Sequence, residues 1–317
     1  MNRLEGLRQR PLWITHLGSV LGCLEYLNID LSPSWVYGGS GHAFVINVHE
    51  LLCPSGPTAW DTSMLDQLGG NLGYLVDGVH SHRSHDDFPA RQAIAWALVR
   101  GCIDTGVPCY AWELAAPEWY VITGYDDVGY YYDGPGAQHG TQPLPWQSLA
   151  ETEIGWLSVH CVLHSEAEPD DVAVREALTF ALGHARGRYS NQDYATGPRA
   201  FEVWAEALET GRADRFGAGY NGVCWLECRE MAVAFLREAK RRLPGRADAL
   251  FDEALEHYSA VHQALKAAVE RVPFQSPAEE VEGARVQDPQ AAALIRAAGA
   301  AEARALDVVA RLCEAMQ

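Results

Sequence analysis

The sequence predicts an α+β protein with two domains, an N-terminal domain of helix packed on sheet over residues 1–166 and an all-helical C-terminal domain over residues 167–317. Three observations predict this class. A β-hairpin pattern lies near residue 120, short helical and strand-like runs alternate through the first half, and Ala, Glu, Arg and Leu recur at helical spacing in the second half. The pattern changes between Glu166 and Pro169, so we place the domain boundary there.

The hairpin is the strongest local signal in the chain. Two β-rich runs, 119–123 and 130–132, flank a segment of glycines and aspartates that favours a tight reversal. An apolar run over 156–164 predicts a further strand. Together they predict an antiparallel sheet.

The remaining elements follow from periodicity and from start and stop residues. Thr15 is a candidate N-cap for the first helix, and Pro169 and Pro289 suit the first turn of later helices. We expect helices over 15–28, 62–70, 89–105, 169–186, 199–209, 223–242, 247–272 and 290–316, and strands over 43–48, 74–79 and 107–114. A polar loop is expected over 80–87.

Composition excludes several classes of protein. The 317 residues carry a formal net charge of −18, which repels phosphate backbones and anionic membranes, so nucleic acid and membrane partners are not expected. No apolar run approaches the roughly 20 residues of a spanning helix. Charges at Arg3, Glu5, Arg8 and Arg10 interrupt the stretch where a signal peptide needs an apolar core, and this predicts a cytoplasmic protein.

Cysteine and histidine usage gives no metal signature. The eight cysteines are dispersed without CxxC pairs, as reduced thiols would be. Cys224 and Cys228 have helical i, i+4 spacing, but core packing explains them better than a metal does. His80, His82 and His85 fall in the predicted polar loop, where solvated side chains are the simpler interpretation. No metal or cofactor is expected.

Two further stretches accompany the hairpin: THLGSVLGCLEYL at 15–27 and WVYGGSGHAF at 35–44. Together with their spacing to the hairpin, they make residues 11–164 resemble the N-terminal domain family of butirosin biosynthesis protein H. That family is a papain-like branch related to the bacteriocin-processing peptidases. The resemblance implies a papain-like domain with a helix packed on a twisted antiparallel sheet, followed by a helical domain.

The resemblance also implies where a catalytic pair would lie. The family opens its first helix with a His-Cys pair, and papain-like enzymes carry the catalytic histidine just before the hairpin. Leu17 stands at the expected nucleophile position and Glu118 at the expected histidine position. Because neither side chain can form a thiolate–imidazolium pair, we expect the usual chemistry to be lost or replaced.

Two hypotheses follow for function. In the first, the chain is a non-catalytic accessory protein that binds an amide-, amine- or peptide-like small molecule, with self-association into a homo-oligomer left open. The alternative is an active acyltransferase or amide hydrolase with a rearranged site, for which the candidate catalytic residues are Cys23 or Ser19, His42 and Glu118.

The candidate binding residues are those expected near the amino end of the first helix and along the hairpin. Carboxylates raised in pKa by burial, aromatic walls and a few polar groups suit a small-molecule cleft. The set comprises His16, Leu17, Ser19, Glu113, Trp119, Tyr125 and Asp133. For each of them a structural role, such as core packing or turn stabilisation, is the competing interpretation.

Overall fold

The computed structural model describes residues 1–137, 142–276, 281 and 283–316. It is an α+β protein, as predicted. The chain divides into two compact units: unit 1 comprises Met1–Ser32 and Gly73–Ala167, and unit 2 comprises Pro33–Leu72 and Glu168–Gln317. Unit 1 ends one residue from the predicted boundary. The segment 33–72, expected in the N-terminal domain, belongs instead to unit 2.

The secondary-structure elements alternate irregularly along the chain. The strands are β1 (Asn2–Arg3), β2 (Asn47–His49), β3 (Tyr74–His82), β4 (Cys109–Trp112), β5 (Trp119–Tyr125), β6 (Gly129–Asp133), β7 (Leu144–Pro145), β8 (Trp156–His164), β9 (Tyr194–Thr196), β10 (Ala213–Asp214) and β11 (Arg285–Val286). The helices are α1 (Thr15–Tyr26), α2 (Pro33–Gly39), α3 (Ser63–Gly70), α4 (Phe88–Asp104), α5 (Asp170–Ala185), α6 (Gly197–Thr210), α7 (Arg215–Arg242), α8 (Asp248–Arg271) and α9 (Pro289–Ala315).

Unit 1 is built on one antiparallel sheet. Its strands lie in the order β3-β8-β4-β5-β6-β7, and β1 pairs with the outer end of β5 at Gly124 and Tyr125. The predicted hairpin is β5 and β6, and the strand predicted over 156–164 is β8. β3 continues through His82, so residues 80–82 are strand and not the expected loop.

One helix covers each face of this sheet. Tyr110 of β4 contacts His16 of α1, whereas the preceding residue, Cys109, hydrogen bonds Cys102 of α4. Because successive side chains of a strand point to opposite faces, α1 and α4 lie on opposite sides of β4. The α1 face therefore displays Tyr110 and Trp112 of β4, Trp119 of β5 and His160 of β8.

Two glycines on α1 let the N-terminal segment lie directly on the helix. A Cβ added at Gly22 would come 2.1 Å from the carbonyl oxygen of Arg8, and one at Gly18 would come 2.5 Å from that of Arg10. Real Cβ atoms do not approach so closely, since the cores of folded proteins are already close-packed. The backbone of residues 8–10 is thereby fixed along the side of α1.

Unit 2 consists mainly of helices, with α9 packed against α8, α6 and α5. It is not all-helical as expected, because β2 pairs with β9 and β10 pairs with β11. The strand predicted over 43–48 is a short 3-10 turn at His42–Phe44 followed by β2.

Contacts inside unit 2 explain why residues 33–72 belong there. The buried Arg229 of α7 donates to the carbonyl oxygens of Ala43 and Val45 at 3.0 and 2.8 Å. Its guanidinium also forms a two-point ion pair with the buried Glu302 of α9. A buried charge requires such complete pairing, which ties the early segment to helices from the end of the chain. Gly38 lies against Phe235, where a Cβ would have no room.

We predict that Gly22→Ala destabilises the protein although alanine favours helices. The added methyl group would overlap the Arg8 carbonyl oxygen, and overpacking of this kind costs about 1–3 kcal/mol of unfolding free energy. Urea denaturation measures the change. Gly101→Ala on α4 is the matched control, because nothing lies within 4 Å of its Cβ position, and it should gain about 0.5–1 kcal/mol. Stabilisation of both variants would contradict the close packing at Gly22.

Candidate functional site

The amino end of α1 is where the sequence predicted a lost catalytic pair. Thr15 is the first residue of α1, and its hydroxyl donates to the Glu118 carboxylate and accepts from the backbone N–H of Trp119 at 3.2 Å. Thr15 does not cap the helix as expected, since the N-cap residue is Ile14 and no side chain caps it. The side chain that meets Glu118 is thus a hydroxyl.

Leu17 does not occupy this position. Its side chain is wholly buried in the core of unit 1, two residues further along α1. The correspondence between Leu17 and the family's nucleophile stays a prediction, but among the hydrogen bonds of the described residues the α1 side chain that contacts Glu118 is Thr15. The contact joins residues 103 positions apart, so no local sequence pattern could have identified it.

Gln9 organises the same helix end and was not predicted. Its side-chain amide lies 2.6 Å from the carbonyl oxygen of Trp119, 3.2 Å from that of Thr15 and 3.1 Å from the Ser19 hydroxyl. Its backbone N–H donates to the Asp133 carboxylate at 2.9 Å. Gln9 therefore connects α1 to both strands of the hairpin. No local sequence pattern marks this role, which depends on the N-terminal segment lying on α1.

Two glutamates lie at the turn between β4 and β5. The backbone N–H of Glu113 donates to the carbonyl oxygen of Glu118 at 2.8 Å, and Glu113 has a left-handed backbone with φ of 62°. The Glu113 carboxylate accepts from the Thr152 hydroxyl at 2.8 Å, and desolvation raises its pKa. Both glutamates are half-buried and lie between the end of β4 and the start of β5.

Tyr125 lies at the other end of β5. Its hydroxyl donates to Asp104 at 2.7 Å and accepts from Asn2 at 2.9 Å. Six residues of strand separate it from Trp119, which corresponds to about 20 Å. Tyr125 therefore forms its hydrogen bonds at the end of β5 that pairs with β1, far from the amino end of α1.

His16 begins a buried aromatic cluster on the α1 face of the sheet. Its ring stacks on Trp119 with centroids 4.3 Å apart, and its Nε2 lies 3.1 Å from the Tyr110 hydroxyl. Tyr110 in turn stacks on His160 of β8, with centroids 4.7 Å apart. The indole N–H of Trp119 is buried and has no hydrogen-bond partner among the described residues.

The candidate nucleophile Cys23 is a packing residue. Its side chain is wholly buried in unit 1, and desolvation, followed by the neighbouring Cys161, raises its pKa. Ser19 is also buried and accepts from Gln9. A buried neutral thiol is a poor nucleophile, because the thiolate is the reactive species.

His42 belongs to unit 2, so no unit contains both Cys23 and His42. The His42 ring is wholly buried, and its Nδ1 lies 3.6 Å from the sulfur of Cys228. Burial lowers the pKa of His42 to about 3 and raises that of Cys228. The contact therefore joins a neutral imidazole to a neutral thiol and is not a thiolate–imidazolium pair.

A cavity of about 490 Å³ opens in unit 1 beside the helix end. It combines side chains of both charge signs with tyrosine rings. Its lining residues are Arg3, Leu4, Glu5, Gly6, Leu7, Arg8, Thr123, Tyr131, Tyr132, Asp133 and Gln142. Asp133 connects the cavity to the amino end of α1, because its carboxylate accepts a hydrogen bond from the backbone N–H of Gln9. Elsewhere in the lining, the guanidinium of Arg3 lies 4.7 Å from the Tyr131 ring centroid.

No group of three or more histidine, cysteine, aspartate or glutamate side chains suited to a metal ion occurs within the described part of the chain. Across those same residues, no helix has the length and apolar character needed to cross a membrane. A scan against models of known protein families finds no match, and a search of curated proteins finds none either.

We predict that Cys53 reacts fastest among the thiols of the folded protein. Cys53 and Cys102 are the half-buried cysteines, and the hydrogen bond with Cys109 heads the causes that raise the pKa of Cys102 to about 12. Iodoacetamide labelling followed by peptide mass spectrometry should modify Cys53 first and Cys23 only after unfolding in urea. Rapid labelling of Cys23 in the native protein would refute its packing role.

We predict that His42 makes the unfolding free energy fall in acid. An unfolded histidine binds a proton near pH 6.5, whereas folded His42 does so only near pH 3, so the unfolded state takes up more protons as the pH falls below 6.5. His184, whose pKa burial lowers to about 4, acts in the same direction. Each ring contributes a loss of about 1.4 kcal/mol per pH unit.

The comparison protein for this measurement is His42→Asn. Urea denaturation at several pH values between 6 and 4 should show a slope smaller by about 1.4 kcal/mol per pH unit in the variant than in the parent. Since all other titrating groups are common to the two proteins, the difference isolates His42. Equal slopes would show that His42 protonates as easily in the folded protein as in the unfolded chain.

Proposed function

We propose that this chain is an accessory protein that binds an amide-, amine- or peptide-like small molecule in the cavity of unit 1, where binding is not coupled to catalysis. In this proposal unit 1 is a papain-like domain whose catalytic pair has been replaced. The protein acts in the cytoplasm without nucleic acid or membrane partners, and its self-association into a homo-oligomer stays a prediction. The observation that carries the proposal is the cavity, which presents both charge signs beside Asp133.

The size and lining of the cavity suit a small zwitterion. Ligand pockets in proteins commonly measure about 300–1,000 Å³, and this one lies in that range. Arg3 and Arg8 supply guanidinium donors for a carboxylate, and Glu5 and Asp133 supply acceptors for an ammonium or amide N–H. The rings of Tyr131 and Tyr132 add apolar surface. Amino acids, short peptides and their derivatives carry this combination of groups.

The residues at the amino end of α1 favour ligand binding over catalysis by a cysteine. The position facing Glu118 is held by the Thr15 hydroxyl, and none of the four thiols of unit 1 stands there: Cys23 is buried in the core, and Cys102, Cys109 and Cys161 lie on the α4 side of the sheet. The rearranged enzyme built from Cys23 or Ser19 with His42 receives no support, because these residues are buried and His42 belongs to unit 2.

Calorimetric titration tests the proposal. The panel comprises free amino acids, dipeptides, and their N-acetylated and C-amidated forms, and we expect the zwitterionic members to bind more tightly than either blocked form. Blocking one end removes a charge-assisted hydrogen bond, and such bonds contribute about 1.5–3 kcal/mol, or at least tenfold in Kd.

The decisive variant is Arg8→Ala, which should raise Kd at least tenfold for ligands with a free carboxylate and leave amidated ligands almost unaffected. Arg91→Ala is the matched control. Arg91 is an exposed arginine of the same unit that pairs with Asp87 and does not line the cavity. Absence of binding across the panel at millimolar concentration, or equal affinity of the two variants, would reject the proposal.

A further inference from the structure

A serine hydroxyl on the α1 face of the sheet lies between two imidazole rings. Ser158 Oγ is 2.9 Å from His160 Nε2 and 3.1 Å from His80 Nδ1. Ser158 and His160 are two residues apart on β8, and His80 is the register partner of Ser158 on β3. All three side chains therefore project from the same face by the alternation of the strands.

His160 is held in place on several sides. Its ring is 3% exposed, stacks on Tyr110 at 6° between planes, and meets His80 edge-on with centroids 4.8 Å apart. Gly78, its register partner, leaves the space that the ring uses, since a Cβ there would lie 3.2 Å from Nδ1 and 2.4 Å from the carbonyl oxygen of Val159. Little rotamer freedom is left to His160, so its Nε2 stays directed at the serine.

The charge state of His160 suits a proton acceptor. Desolvation lowers its pKa, and the nearby His16 and His80 lower it further. The ring is therefore neutral at pH 7, and one nitrogen is an acceptor. With the proton on Nδ1, His160 Nε2 accepts from Ser158, as the base of a nucleophile–base pair does.

The Ser158 hydroxyl can be reached from the β3 side of the sheet. His80 is exposed and Ser158 is half-buried, so a molecule can reach the hydroxyl from the surface of β3.

We propose that Ser158 and His160 form a nucleophile–base pair that cleaves small carboxylic esters, at a site separate from the cavity. Ser158 Oγ bonds to the carbonyl carbon while its proton passes to His160 Nε2. The ester C–O bond then breaks, and the proton returns from His160 to the leaving oxygen, which departs as an alcohol. Water repeats the sequence on the acyl-serine and releases the carboxylic acid. His80 is a positioning residue that orients the hydroxyl.

Covalent labelling with a fluorophosphonate tests this inference on the full chain. The phosphorus atom bonds to the serine oxygen and fluoride leaves, so peptide mass spectrometry should find the adduct on Ser158. The adduct should be absent in Ser158→Ala, and p-nitrophenyl acetate hydrolysis above background should be lost with it. Ser84→Ala, which removes an exposed hydroxyl bonded to His82, should leave both signals unchanged.

Two histidine variants separate activation from simple accessibility. His160→Gln should lower the labelling rate at least tenfold, since general base catalysis contributes about 10²- to 10⁴-fold. Because replacing the buried His160 risks misfolding, His80→Ala at the exposed position is the second variant. Its labelling rate should fall several-fold while its circular dichroism spectrum stays unchanged. A folded parent protein without an adduct on Ser158, or labelling at the parental rate in His80→Ala, would overturn the inference.

Discussion

Unit 1 depends on how closely its N-terminal segment approaches α1. With hydrogen atoms in place of side chains at Gly18 and Gly22, the backbone of residues 8–10 lies against the helix, and this places Gln9 over the helix start. From there Gln9 connects Thr15, Trp119 and Asp133. Wider spacing would separate these groups by more than a hydrogen bond and would move one wall of the cavity, since residues 3–8 line it.

The secondary-structure elements that depend on local sequence patterns were predicted most accurately. The hairpin, strand β8 and the long helices of unit 2 follow from periodicity and from glycine, proline and aspartate positions, and they lie within a few residues of their predicted bounds apart from the start of α7. The placement of residues 33–72 was not predictable in this way. It depends on the interaction of Arg229 with Ala43, Val45 and Glu302, which are far apart in sequence.

For the candidate site, the sequence indicated the region of the fold but not which side chains contact one another there. Glu118, Glu113, Trp119, Asp133 and His16 lie where the helix meets the turn of β4 and β5 or along the hairpin. Leu17, Cys23 and Ser19 are buried residues of α1, and a helix only 12 residues long and buried along most of its length gives no periodic signal for which side faces a cleft. Thr15 and Gln9 were missed because their roles arise from contacts between distant segments.

The interruption of unit 2 by unit 1 has a consequence for biosynthesis. All of unit 1 has been translated once residue 167 has been added. Residues 33–72, in contrast, cannot form their contacts with Arg229 of α7, which pairs with Glu302 of α9, until those helices have been synthesised. Domains generally fold as units while the ribosome is still elongating the chain. An apolar segment such as Val36 to Val48 is therefore synthesised long before the helices that cover it, and its apolar side chains stay exposed on the nascent chain until those helices follow.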